Sequence, residues 1–177
     1  MNGILEAKAI LDAEGARGGR EVRVGVDDAE GRMLGDINLF IYPDLDDSDS
    51  NPDSPPEKET ARVFGEVDVM IASPPHRNNG YGKAAVKSLL TFVQRNLPGI
   101  LAEYAAFTGH EGPVEMGKLV AKIKERNEAS KVLFRGLGFV AEGGVNYFGE
   151  VEMVLEGFGE GKVGWEVEGY EEVGYGG

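Results

Sequence analysis

The chain has no cysteine, which excludes a disulfide, a thiolate zinc site and a cysteine nucleophile together. Histidine is nearly as scarce. Only His76 and His110 occur, both in loop-like contexts, and no metal constellation or serine triad is assembled around them. Basic residues are short too: 18 stand against 31 acids, for a net charge of -13. Nucleic acid and anionic membrane both select a basic surface, so neither is expected as a partner. No apolar run reaches membrane length and no signal peptide is visible, so the expected location is cytoplasmic, with the nucleus as the other option. An anionic ligand would have to be held by local groups against the overall field, whereas a cationic amine suits an acidic surface.

What is present is enough for one domain with a sizeable core: 177 residues, 41% of them hydrophobic. The organising stretch is 63–96. Val63, Val67, Val69 and Ile71 alternate with Glu66, Asp68 and Met70, giving a strand with one aliphatic face and two carboxylates on the other. Ser73-Pro74-Pro75 ends it, because proline has no N–H for the ladder. Arg77, Asn78, Asn79, Gly80, Tyr81, Gly82 and Lys83 then lead into a helix. There Ala85, Leu89, Leu90 and Val93 recur at helical spacing, and Pro98-Gly99 is the expected stop. Glycines at a helix mouth let an anion approach N–H groups that have no partner within the helix, at the positive end of its dipole. The stretch therefore reads as a phosphate cradle with Arg77 and Lys83 beside it.

Three glycine motifs compete for that cradle. A P-loop fails, since Ala84 follows Lys83 and no glycine stands five residues before Gly82. The letters of a dinucleotide fingerprint are met by 80–85, but six residues separate Ser73 from Gly80, so the tight strand-to-helix turn is missing. A nicotinamide-dependent enzyme stays as a third reading on those letters. The remaining pattern, [RQ]-x-x-G-x-[GA], is filled by Arg77, Gly80 and Gly82.

The rest of the chain supplies the flanks. Residues 3–13 fit a short helix, and 21–26 a first strand in a hairpin with a second over 33–42. Residues 44–60 hold seven acids, one lysine and three prolines, a composition that cannot bury enough to fold and reads as a disordered insertion. A calcium loop there lacks its glycine and its terminal glutamate. Residues 100–117 look loop-like, and 118–122 look like a short strand. Asn127 is a good N-cap for a helix bearing Ala129, Val132, Leu133 and Phe134. Residues 139–147 and 150–155 close the domain as a hairpin, and 157–177 form a glycine-rich acidic tail carrying Trp165, Tyr170 and Tyr175.

In this order the phrases GDINLF, EVDVMIA, RNNGYG and AKI-x3-NEAS-x3-F resemble the GNAT superfamily of acyl-CoA N-acyltransferases, and within it the N-acetyltransferase 9-like proteins of eukaryotes. The resemblance covers roughly 34–155. It implies an α/β fold with a mixed, mostly antiparallel sheet and flanking helices, whose strands 66–72 and 118–123 run parallel and splay apart. It implies acetyl-CoA as acyl donor and an amine, a protein N-terminus or lysine among them, as acceptor. The backbone of Met70, Ile71 and Ala72 would pair with the pantetheine arm, and the N–H groups of 77–83 would hold the pyrophosphate. Asn127 and Ser130 would contact the arm, and Phe134 would pack on it. Direct attack needs a base for the amine's proton, and Glu66 and Asp68 are the candidates; the bland alternative is that they are solvated or paired with a Lys or Arg. Two departures stand out. Phe134 replaces a tyrosine that protonates the leaving thiolate in many members. Only 1–20 precede the first hairpin, where the family has a strand and two helices, so the fold is expected to be N-terminally truncated, with the tail as a partial substitute. A catalytically weak acetyl-CoA-binding or protein-interaction module is therefore the rival reading.

Overall fold

A computed structural model of the chain describes residues 4–5, 22–27, 29–44, 60–160, 167, 169–173 and 175–176. In chain order its strands and α-helices are β1 (Ile4–Leu5), β2 (Val22–Arg23), β3 (Gly35–Pro43), β4 (Ala61–Ile71), α1 (Tyr81–Thr108), β5 (Val114–Lys124), α2 (Glu128–Arg135), β6 (Val140–Glu142), β7 (Glu150–Glu156) and β8 (Tyr175–Gly176). Six strands form one sheet in the order β1-β3-β4-β5-β7-β6. Only the β4–β5 pairing is parallel in it, so the sheet is mixed and mostly antiparallel, as expected.

The period-two pattern decides which face is covered. Ile37, Leu39 and Ile41 of β3, Val63 and Val67 of β4, and Leu119, Ala121 and Ile123 of β5 are buried together with Val86, Leu89, Leu90 and Val93 of α1 and Phe134 of α2. Both helices thus lie on one face of the sheet. Burying each aliphatic side chain contributes roughly 1.5–3 kcal/mol. The intervening residues Asp36, Asn38, Glu66, Asp68 and Lys122 belong to the other face. Two glycines mark where strands approach most closely. A Cβ on Gly35 would lie 1.8 Å from the Met70 carbonyl oxygen, and one on Gly65 would meet Leu119 and Leu39 at 2.7 and 2.9 Å.

Several expectations are corrected. Helix α1 does not stop at Pro98-Gly99 but runs on to Thr108. Leu97, Ile100, Leu101 and Tyr104 continue the apolar stripe and pack on the core, which offsets the roughly 3 kcal/mol that an interior proline costs. The strand expected from 118 already starts at Val114. The hairpin of 21–26 with 33–42 does not form. Residues 24–27 turn back on Arg23, whose N–H and guanidinium bond the buried Asp27 carboxylate at 3.0–3.2 Å, and β2 instead pairs in parallel with β8 in a separate two-stranded sheet. Ile4–Leu5, expected in a helix, pair with Phe40 and Leu39 of β3. The remainder of that helix, most of the acidic insertion and Trp165 lie outside the described residues.

The C-terminal boundary moves as well. Phe158, assigned to the tail, is buried in the core, and Gly159 passes so close to β5 that a Cβ would lie 2.3 Å from the Met116 carbonyl oxygen. Further on, Tyr170 lies under the Arg95 guanidinium at 4.8 Å, and Glu172 accepts a bond from Asn96 at 3.4 Å. Both contacts are on α1, about 20 Å along the helix from its first turn.

Candidate functional site

The site begins where a pairing ends. β4 and β5 pair from Ala61↔Val114 to Glu66↔Val120, with Gly117 bulged out between the Val63 and Phe64 pairs. Beyond Glu66 the strands separate: 67–71 stay paired only with β3, and 121–124 only with β7. The expected splay is present. Beside it lies a groove of about 820 Å³, lined by Val69, Met70 and Ile71, by the loop into α1 and by the first turns of α2.

The loop turns its acceptors inward. His76 N–H bonds the Ser73 carbonyl and Arg77 N–H the Pro74 carbonyl, each at 3.1 Å. The Asn79 side chain donates to the Pro75 carbonyl at 3.0 Å, and Arg77 Nε donates to the Ile71 carbonyl at 2.8 Å. Asn78 (φ 62) and Gly80 (φ 88) hold left-handed conformations that reverse the chain into α1. After that the first intrahelical bond is Ala84 N–H to the Gly80 carbonyl at 3.0 Å. Among the described residues, no hydrogen bond is donated by the backbone N–H groups of 78–83. Lys83 and the loop residues Arg77, Asn78, Gly80 and Gly82 line the groove. Tyr81 does not; it meets His76 edge-on at 5.9 Å.

The opposite wall is α2. The Asn127 side chain caps it by accepting from Ser130 N–H at 3.2 Å. Asn127 and Ser130 line the groove with Ala129, Val132 and Leu133. The three apolar ones were missed as site residues; their helical spacing is the same signal that marks a core face, so sequence alone does not separate the two. A Cβ on Gly82 would lie 3.2 Å from Leu133, so the two helices meet there. The first turns of α1 and α2 therefore face one opening. Phe134 departs from expectation. It is 2% exposed, meets Phe139 edge-on at 5.0 Å and is absent from the lining. Its neighbour Leu133 lines the groove instead, about 100° around the helix.

The β4 backbone is only partly available. The Met70 carbonyl lies against Gly35, and Ala72 N–H donates to the Leu34 carbonyl at 2.8 Å, so both point toward β3. By strand alternation Val69 and Ile71 point into the splay, and the Ile71 carbonyl is already taken by Arg77.

The two candidate bases differ. Glu66 accepts from Lys122 Nζ at 2.7 Å across β5, the bland alternative raised by the sequence. That bond also raises the Lys122 pKa. Asp68 is exposed and belongs to no ion pair among the described residues. Desolvation raises its pKa, with the carboxylates of Asp36 and Glu66 adding to the rise, while a backbone bond from Val69 opposes it. No group of three metal-ligating side chains occurs among the described residues, and no described helix is long and apolar enough to cross a membrane.

A mostly antiparallel sheet, one splayed parallel pair and a helix mouth with bare amides define the class: an α/β domain of acyl-CoA N-acyltransferase type. The sequence agrees. Residues 5–140 match the family model described as Acetyltransferase (GNAT) domain, and the chain belongs to that family. It is 30% identical over 132 residues to an N-acetyltransferase 9-like protein of Schizosaccharomyces pombe, covering 70% of this chain and 56% of that one. It is 33% identical over 127 residues to the one of Caenorhabditis briggsae, covering 71% and 50%. To the human alpha/beta-tubulin-N-acetyltransferase 9 it is 30% identical over 126 residues, covering 71% and 45%. The chain thus spans about half the length of the curated relatives it matches. Among solved structures, Arabidopsis thaliana NAA60 in complex with acetyl-CoA superposes with a TM-score of 0.44 at 11% identity, covering 72% of this chain and 69% of that one.

Proposed function

We propose that this domain binds acetyl-CoA and transfers its acetyl group to an amine by direct attack. The carrying observation is the row of unbonded N–H groups over 78–83, set at the head of α1 beside a groove opened by lost β4–β5 pairing. Those amides and the Lys83 ammonium would hold the diphosphate. The arm would lie along Val69 and Ile71 as an added strand, with Ala129, Val132 and Leu133 giving apolar contact.

The acceptor must lose a proton to attack. Asp68, with no counter-ion among the described residues and with a raised pKa, is the better-placed base, and Glu66 shares its face of the sheet. With Asp36 they make that face attractive to an ammonium group. The names of the human and Drosophila melanogaster relatives, alpha/beta-tubulin-N-acetyltransferase 9, favour a protein amine. The test is thermal stabilisation by acetyl-CoA and by CoA, with NAD as the control, followed by thiol release against a panel of peptide amines. Stabilisation by NAD alone would overturn the reading.

A second reading, binding without turnover, is favoured by Phe134, which has no hydroxyl and is buried, and by the Glu66–Lys122 pair. Stabilisation by acetyl-CoA with no thiol release from any peptide would establish it. Turnover that falls in Glu66→Gln and Asp68→Asn while binding persists would establish the first.

A further inference from the structure

Arg77 was expected beside the phosphates, yet its side chain faces back into its own chain. Nε donates to the Ile71 carbonyl at 2.8 Å and Nη2 to the Ala72 carbonyl at 3.2 Å. Within the same turn Arg77 N–H bonds Pro74, His76 N–H bonds Ser73 and the Asn79 side chain bonds Pro75. The carbonyls of 71–75 are thus consumed by donors from 76–79. The amides of 78–83 donate no hydrogen bond among the described residues. Two of the guanidinium's five N–H donors are thus committed to carbonyls at the root of the loop.

We propose that Arg77 is a positioning residue: its guanidinium fork ties the 72–77 turn to the end of β4 and so fixes the outward set of the following amides, without touching the ligand's phosphates. The inference rests on the reading that 78–83 bind a diphosphate. It also assigns the groove-facing Ile71 carbonyl to Arg77, leaving the Ile71 N–H as that residue's donor to an incoming arm.

Atom positions give the experiment. In glutamine the amide nitrogen stands the same number of bonds from the backbone as arginine Nε, so Arg77→Gln keeps a donor for the shorter bond and loses the charge. In Arg77→Lys a methylene takes that place, and the charge is kept. Two measurements are made on parent and variants: amide hydrogen exchange at the bonded amides of Ala72, Ser73, His76 and Arg77 in the free protein, and CoA affinity at low and high salt. Arg77→Lys is expected to speed exchange and to weaken CoA about tenfold, the scale of a lost charge-assisted bond. Arg77→Gln should stay within about threefold of the parent in affinity, with the same salt dependence. If instead Arg77→Lys behaves like the parent while Arg77→Gln loses affinity and salt dependence, the charge acts on the phosphates and the proposal is overturned. Exchange unchanged in both variants overturns it too. A parent that binds no CoA defeats the proposed function separately, and the exchange data still decide whether Arg77 is a brace.

Discussion

The two halves of β4 are built from similar residues and treated oppositely by their neighbours. From Val63 to Glu66 the strand has a ladder on both sides; from 67 to 71 it has one on the β3 side only. The lower half is closed by Gly65, wedged between Leu119 and Leu39. The upper half keeps the same alternation, with Val67 buried and Val69 partly so, but its second edge opens on the groove. The lesson is that the hydrophobic pattern places the strand, and lost pairing makes the site.

Substitutions can break each half in turn. Gly35→Ala pushes a methyl into the Met70 carbonyl and breaks the one ladder the upper half retains. It should cost about 3 kcal/mol or more, read as a lower denaturant midpoint, and acetyl-CoA binding should fall with it. Gly82→Asp sets a carboxylate at the cradle and presses on Leu133. CoA affinity should drop by about 100-fold or more, about 2.7 kcal/mol, in a protein that still unfolds cooperatively. Unchanged affinity would show that the loop is merely a turn. Asn127→Ala removes the α2 cap and should cost about 1 kcal/mol of stability, with a weaker effect on the ligand.

Asp68→Asn should have the smallest effect on stability, and it has a sign. A carboxyl with a pKa raised on folding binds its proton more tightly when folded, so stability falls as pH rises through the window between the ordinary aspartate value and the raised one. Removing the charge should raise the thermal midpoint at neutral pH. That gain should fade as pH falls below the ordinary aspartate range. A gain that persists in acid would assign the effect to packing instead.

The strand–loop–helix was legible because each part is written locally: alternation over 63–71, Pro-Pro after it, glycines before an apolar helical stripe. Asn127 was legible for the same reason, since an N-cap bonds three residues on. What was missed depends on partners far along the chain. Lys122 meets Glu66 across 56 positions, and β2 finds β8 at the other end of the sequence rather than β3 next door. Pro98-Gly99 misled because local propensity there opposes helix, and only burial of Ile100, Leu101 and Tyr104 overrides it. Phe134 and Leu133 are adjacent, yet one faces the core and the other the groove, a division set by the orientation of α2 on the sheet.

The shared orientation of α1 and α2 bears on how quickly a polyanion arrives. Two peptide dipoles converge on one mouth, but their pull fades within a turn of helix, whereas the chain's charge of -13 acts out to the Debye length. A diphosphate therefore meets repulsion at a distance and capture only on contact. Capture should then quicken as electrolyte is added, opposite to the slowing seen when long-range attraction steers an encounter.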